Sequence, residues 1–71
     1  MEIIQTYKAG LVLNCVNNGE HVVGGQTLCT IHDLTLKKLI DIKATCDGVV
    51  ITNPSNHFAD RGQTLFIVQP K

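Results

Sequence analysis

Short runs of aliphatic and β-branched residues alternate along the chain with small and polar turn residues. Four such runs predict β-strands, because glycine, asparagine or aspartate lies at their ends; they are residues 11–16, 27–31, 49–52 and 65–68. Residues 33–42 carry leucines at loosely helical spacing, but this segment has no clear helix stop signal and its flanks are rich in β-branched residues. A β-hairpin is therefore favoured there over a helix. The hydrophobic pattern predicts an all-β fold of short strands in a small sandwich or barrel.

The strand pattern occurs twice. Gly-Gln-Thr-Leu at residues 25–28 returns unchanged at residues 62–65, and ahead of each copy a glycine opens an aliphatic run, at 10–13 and at 48–51. The two copies are 37 to 38 residues apart, with one residue of slip in the intervening loop. An open solenoid needs three or more repeats. Two copies in 71 residues instead predict one domain, residues 1–71, built from two halves related by a pseudo-twofold axis.

The composition indicates which residue types build the core and which classes of partner are not expected. Hydrophobic residues make up 44% of the chain but aromatic residues only 4%, so the core must be aliphatic. Six basic and six acidic residues cancel, which argues against a nucleic-acid partner. No apolar run approaches the roughly 18 residues needed to cross a bilayer, and the first residues lack a signal-peptide pattern. We expect no membrane partner and a cytoplasmic location. The predicted core comprises Leu13, Val22, Leu28, Ile31, Ile42, Ala44, Val50, Leu65 and Ile67.

Neither a metal site nor a catalytic site is predicted. The three cysteines are odd in number, widely spaced and without a CxxC pair, a pattern that favours neither a disulfide framework nor zinc. Cys15 and Cys29 lie inside apolar runs, where a thiol packs as a small hydrophobic group. His21 and His57 occupy nearby positions in the corresponding segments 17–22 and 54–59, and we interpret both as turn residues. No Ser/His/Asp or Cys/His arrangement occurs at motif spacing, so the chain is not expected to be an enzyme.

A fixed order of motifs carries a family resemblance. The motifs are a strand-opening glycine at 10, Gly-x-x-Val at 19–22, Gly-Gln-x-Leu-x-x-Ile at 25–31, Ile-x-Ala at 42–44 and Asp-Gly-Val-Val at 47–50. This frame resembles the biotinyl/lipoyl carrier domains, in particular the biotin carboxyl carrier type, over about residues 3–68. The resemblance implies a barrel-sandwich hybrid: two antiparallel sheets related by a pseudo-twofold axis.

In that family the functional residue is a lysine at the tip of the hairpin that joins the two halves. Here the hairpin is predicted at residues 32–41, with its midpoint between Leu36 and Lys37. Lys37 lies five residues before Ile42 and seven before Ala44, which matches the biotinyl lysine. The resemblance therefore implies cofactor attachment at Lys37, or at the adjacent Lys38.

The hairpin also departs from the family pattern. Its arm is two residues longer than in biotin carriers, Leu34 stands in place of a glutamate, and Lys38 stands in place of the second methionine. No acidic residue adjoins Lys37, which favours biotin over lipoate. A His32–Asp33 pair at the hairpin base is expected to be exposed and to influence Lys37 only weakly.

Two functions stay open at this point. The first is a swinging-arm carrier that bears biotin, or alternatively lipoate, and is served by a biotin or lipoyl ligase and a carboxylase or acyltransferase complex. The second is an interaction module without a cofactor, similar to those appended to aspartoacylase-like zinc deacylases or to transport adaptors. A carrier requires the Lys37 amine, whereas a packing module tolerates its loss. In neither case does the domain itself break bonds.

Overall fold

The computed structural model describes residues 1–54 and 57–71, and these residues form eight β-strands and no helix. The strands are β1 (Glu2–Gln5), β2 (Gly10–Leu13), β3 (His21–Val22), β4 (Thr27–Asp33), β5 (Lys38–Lys43), β6 (Gly48–Thr52), β7 (Phe58–Ala59) and β8 (Thr64–Pro70). The four predicted strands correspond to β2, β4, β6 and β8. The segment 33–42 is a hairpin, as predicted. The run predicted at 11–16 ends as a strand at Leu13, because Asn14 takes a left-handed backbone conformation with φ of 55°.

The strands form two four-stranded sheets, in the orders β1-β8-β6-β3 and β5-β4-β2-β7. Every recorded pairing is antiparallel. The predicted all-β sandwich of two antiparallel sheets is therefore confirmed. Adding four to each strand number, and returning to β1 after β8, converts the order β1-β8-β6-β3 into β5-β4-β2-β7. Strands four places apart in the chain therefore occupy equivalent positions in the two sheets.

The turns that precede β4 and β8 repeat the same contacts. The Gln26 side-chain oxygen accepts the Val23 N–H at 3.1 Å, and the Gln63 side-chain oxygen accepts the Asp60 N–H at 3.0 Å. The glycine before each glutamine has a left-handed φ, 87° at residue 25 and 85° at residue 62. These contacts explain why Gly-Gln recurs in the sequence, while the twofold rotation itself stays a prediction. The corresponding segments 17–22 and 54–59 can be compared only in part, because Ser55 and Asn56 lie outside the described residues.

The core lies between the sheets and is almost entirely aliphatic. Its members are Ile4, Val12, Val22, Leu28, Cys29, Ile31, Ile42, Ala44, Val50, Ala59, Leu65, Phe66 and Val68. Two predicted members are wrong: Leu13 is 38% exposed and Ile67 is only half-buried.

Strand irregularities account for the error at Ile67. Ile4 pairs with Phe66 but Gln5 pairs with Thr64, so Leu65 is an extra residue in β8. A bulge of this kind breaks the alternation of side chains. Leu65 and Phe66 are consequently both buried, which shifts Val68 inward and Ile67 outward. Leu13 points outward because the ordinary alternation of β2 places Gly10 and Val12 inside.

Candidate functional site

The hairpin formed by β4 and β5 carries the lysines singled out by the sequence. Ile31 pairs with Ile40 and Asp33 pairs with Lys38, which leaves a loop of residues 34–37. The centre of this loop lies between Thr35 and Leu36. The predicted midpoint, between Leu36 and Lys37, is therefore one residue too late.

A buried carboxylate determines the shape of the loop. Asp33 is only 5% exposed, and its Oδ1 accepts hydrogen bonds from the Thr35 N–H at 3.0 Å and the Leu36 N–H at 3.1 Å. Aspartate often closes turns by accepting a backbone N–H two residues on. The expectation of an exposed His32–Asp33 pair is wrong, since Asp33 is buried and His32 is half-buried. The Asp-x-Thr sequence at the end of a strand was the signal for this role.

Lys37 and Lys38 are both exposed at this end of the hairpin. Lys37 is the last loop residue and has a φ of 54°, a left-handed conformation that is uncommon for a residue with a side chain. Lys38 begins β5. An exposed primary amine fits the amide bond through which the carboxyl group of biotin or lipoate would be attached. The structure thus brings both candidate residues to one accessible tip without choosing between them.

Three exposed leucines lie on the same hairpin as the lysines. Leu34 and Leu36 are each 52% exposed and Leu39 is 65% exposed. We call Leu34, Leu36 and Leu39 the apolar hairpin tip. Exposed apolar patches commonly mark interaction sites, and these three leucines fall within six consecutive residues of one hairpin, 34–39. The hairpin therefore presents a surface suited to packing as well as two amines.

The two histidines noted in the sequence, His21 and His57, do not belong to the hairpin that carries the lysines. His21 lies within β3 rather than in a turn, which corrects the sequence interpretation, and His57 is exposed ahead of β7. Across residues 1–54 and 57–71, no group of three or more His, Cys, Asp or Glu side chains is arranged to hold a metal ion. Within the same residues, no helix is long and apolar enough to span a membrane.

Two thiols interact in a way that the sequence spacing did not reveal. The pKa of Cys29 is raised from 9.0 to about 12, mainly by burial and in smaller part by the charge and the hydrogen bond of the neighbouring Cys15 thiol. Burial also raises the pKa of Cys15, while its hydrogen bond with Cys29 acts in the opposite direction. Each of these cysteines was predicted to pack as a small hydrophobic group because it lies inside an apolar run, and the 14 positions between residues 15 and 29 gave no sign of a contact.

Comparison with solved structures identifies proteins that contain the same arrangement of strands. The product-bound ectoine utilization protein EutE (DoeB) of Ruegeria pomeroyi matches 97% of the chain, with a TM-score of 0.87 and 20% identity. A succinylglutamate desuccinylase/aspartoacylase family protein of Shewanella amazonensis matches 99% of the chain, with a TM-score of 0.88 and 23% identity. The urea carboxylase of Kluyveromyces lactis matches 96% of the chain, with a TM-score of 0.83 and 18% identity.

The chain has the fold of one segment of these larger proteins. It spans 22% of the EutE chain, 20% of the Shewanella chain and 6% of the urea carboxylase chain. No family model matches the sequence, and no curated protein sequence matches it. At these identities the comparisons establish a shared fold and leave the activities of the larger proteins with those proteins.

Proposed function

We propose that the chain is a non-catalytic module that packs against an aspartoacylase-like deacylase body and bears no prosthetic group. The observation that carries this proposal is the fit of nearly the whole chain to 20% of the Shewanella desuccinylase/aspartoacylase-family chain, with a TM-score of 0.88, and to 22% of the EutE chain, with a TM-score of 0.87. Such a fit is expected of a complete folding unit attached to a larger body. The body supplies any chemistry, and the module supplies an interaction surface.

The hairpin supports a packing role. Full burial of a leucine side chain contributes about 1.5–3 kcal/mol, so burying the exposed half of each leucine in the apolar hairpin tip would contribute about 1 kcal/mol. The buried Asp33 carboxylate holds the loop backbone through two hydrogen bonds. This lowers the entropy that the loop would otherwise lose on docking. A rigid apolar tip is thus well suited to a stable contact with another surface.

Affinity purification from the source cells, with an antibody against this chain, tests the proposal directly. Every stoichiometric polypeptide is then sequenced, and an aspartoacylase-like body is expected, either bound to the module or on the same polypeptide. The lysines of the purified module should have unmodified masses. A carboxylase or acyltransferase in place of a deacylase body, or a modified lysine, would contradict the packing role.

Two matched variants distinguish packing from a requirement for the amine. Leu36→Glu places a charge in the apolar hairpin tip and should weaken attachment to the body by more than tenfold. Lys37→Ala changes the neighbouring exposed residue and should leave attachment within about twofold. Attachment is measured by titrating the isolated body or, when both lie on one polypeptide, by the rate of proteolytic separation. Loss of attachment in Lys37→Ala alone would refute this assignment of the surface.

A second candidate function is the swinging-arm carrier, with biotin or lipoate bound to Lys37 or Lys38. It is supported by the exposure of both lysines at the hairpin and by the shared fold with a segment of a carboxylase. Biotin would supply carboxyl transfer and lipoate would supply acyl transfer. The residues of this chain would hold the group at the end of a hairpin whose loop is fixed by Asp33.

Intact-mass measurement after co-expression with a biotin ligase, and separately with a lipoate ligase, tests the carrier function. A carrier should gain the mass of one cofactor, and either Lys37→Ala or Lys38→Ala should abolish the gain. The variant that abolishes it identifies the attachment residue. An unchanged mass with both ligases would reject biotin and lipoate as cofactors at this hairpin.

A further inference from the structure

Just beyond the end of the β2–β4 pairing, the chain brings Cys15 opposite Cys29. Leu13 pairs with Thr30 at the end of β2, and the left-handed Asn14 interrupts the strand at the next residue. Beyond it, the Val16 N–H donates to the Leu28 carbonyl oxygen at 3.0 Å. This hydrogen bond shows that the register has shifted by one residue. Without the shift Cys15 would face Leu28, whereas with it Cys15 faces Cys29.

The position next to the Val16–Leu28 hydrogen bond, at the end of the β2–β4 ladder, suits a covalent link. In antiparallel strands, the pair next to a hydrogen-bonded pair is not hydrogen-bonded, and its Cα atoms are about 4.5 Å apart. Disulfides form across Cα separations of about 4.4–6.8 Å. Cys29 is fully buried and Cys15 is half-buried against the same core. The Cys15 thiol also contributes to the raised pKa of Cys29, as expected of two thiols that lie near each other.

We propose that Cys15 and Cys29 are a modification site that forms a reversible disulfide by exchange with a low-molecular-weight disulfide such as oxidised glutathione. The Cys15 thiolate, the more accessible of the two, attacks one sulfur of the reagent, breaks its S–S bond and releases one thiol. Cys29 then attacks the Cys15 sulfur and releases the second thiol. Both protein thiols are oxidised, one reagent disulfide is reduced, and the two protein protons end on the two released thiols.

The link would close the chain from residue 15 to residue 29, a loop of 15 residues that contains β3. Closing a loop of this size reduces the conformational freedom of the unfolded chain and shifts the unfolding equilibrium roughly a hundredfold toward the folded state. Oxidation would therefore stabilise the segment from β2 to β4 without involving the hairpin lysines.

Thiol counting with peptide mapping tests the site. The reduced protein should react with three equivalents of an alkylating reagent in denaturant, since all three cysteines are free. After equilibration with oxidised glutathione in native buffer, only Cys46 should react, and the map should contain a peptide linking residues 15 and 29. Cys46→Ser, the matched control, should still lose two thiols, and Cys15→Ser should form no internal link. Three reactive thiols, a persistent glutathione adduct on Cys15, or a link to Cys46 would overturn the proposal.

Urea unfolding gives an independent readout that does not depend on a folded cysteine variant. The oxidised wild-type protein should unfold at a higher urea concentration than the reduced protein, and addition of a reductant should reverse the shift. If the urea midpoints of the oxidised and reduced proteins coincide, a disulfide between Cys15 and Cys29 does not stabilise the fold. Oxidation in urea before refolding should give mixed pairings that include Cys46. A selective 15–29 link under those conditions would show that the native register is not its cause.

Discussion

Replacing Gly10 by alanine should strongly destabilise the domain, because Gly10 lies too close to the backbone of the paired strand β4 to leave room for a side chain. A Cβ atom added at Gly10 would overlap the His32 carbonyl oxygen and would lie 2.8 Å from both the His32 carbonyl carbon and Ile31 Cγ2. Two of these atoms belong to the backbone, so rotation of a side chain cannot relieve the contact. The strands must separate, at the centre of the sheet that supports the hairpin.

The expected loss is large relative to the total stability. Overpacking a closely packed site costs about 1–3 kcal/mol and sometimes more, and a collision with backbone belongs at about 3 kcal/mol. A domain of this size has a free energy of unfolding of about 4–11 kcal/mol. With a urea dependence of about 1 kcal/mol per molar, the unfolding midpoint should fall by about 3 M.

Two further glycines supply the controls for the urea measurement. Gly48→Ala should behave like Gly10→Ala, because its Cβ would overlap the Gln69 carbonyl oxygen and lie 3.0 Å from Val68 Cγ1. Gly24→Ala should change stability by less than about 1 kcal/mol, since the nearest atom to its Cβ, Asp47 Oδ1, is an ordinary 3.6 Å away. Coincident unfolding curves for Gly10→Ala and Gly24→Ala would refute the reasoning from close strand approach.

The other predictions concern the loop, the core and the thiols. Asp33→Ala should lower the free energy of unfolding by about 1.5–3 kcal/mol and speed amide exchange in the hairpin loop, because two backbone N–H groups lose their acceptor. Asp33→Asn keeps an oxygen acceptor and should have a smaller effect on both. Equal exchange rates in the two variants would contradict the role of the carboxylate. Leu28→Ala and Leu65→Ala should each cost about 2–5 kcal/mol in urea unfolding, and parent-like curves would show that the sites are not core. Because the pKa of Cys29 rises from 9.0 to about 12 on folding, the folded state retains the thiol proton longer than the unfolded state. The stability this contributes is complete below about pH 9 and is lost as pH rises toward 12, and Cys29→Ala should flatten that decline more than Cys46→Ala does.

The strands and the core could be predicted from the sequence because their signals are local. The repeated Gly-Gln-Thr-Leu segments each close a turn through a contact within four residues, so the same short sequence produces the same structure twice. The predictions for Leu13 and Ile67 failed for two different reasons, one local and one set by the pairing with another strand. Leu13 follows the ordinary alternation of β2, whereas Ile67 is displaced by the bulge at Leu65, which depends on the partner strand β1.

The hairpin was predictable in its position but not in its detail. Leucines and lysines between two strand signals indicated an exposed turn, and the resemblance directed attention to Lys37 and Lys38. The number of loop residues depends on which residues of β4 and β5 pair, and that register placed the centre one residue earlier. The burial of Asp33 likewise depends on packing around the hairpin base.

By itself, the sequence determined the all-β class, the duplicated strand pattern and an aliphatic core, because hydrophobic alternation and turn residues act over a few neighbouring positions. Only the tertiary structure decided the contacts between distant positions. The close approach of β2 to β4 requires glycine at 10, and the shift at Asn14 places Cys15 against Cys29. Register between strands is the physical reason, since a change of one residue exchanges every partner across the ladder.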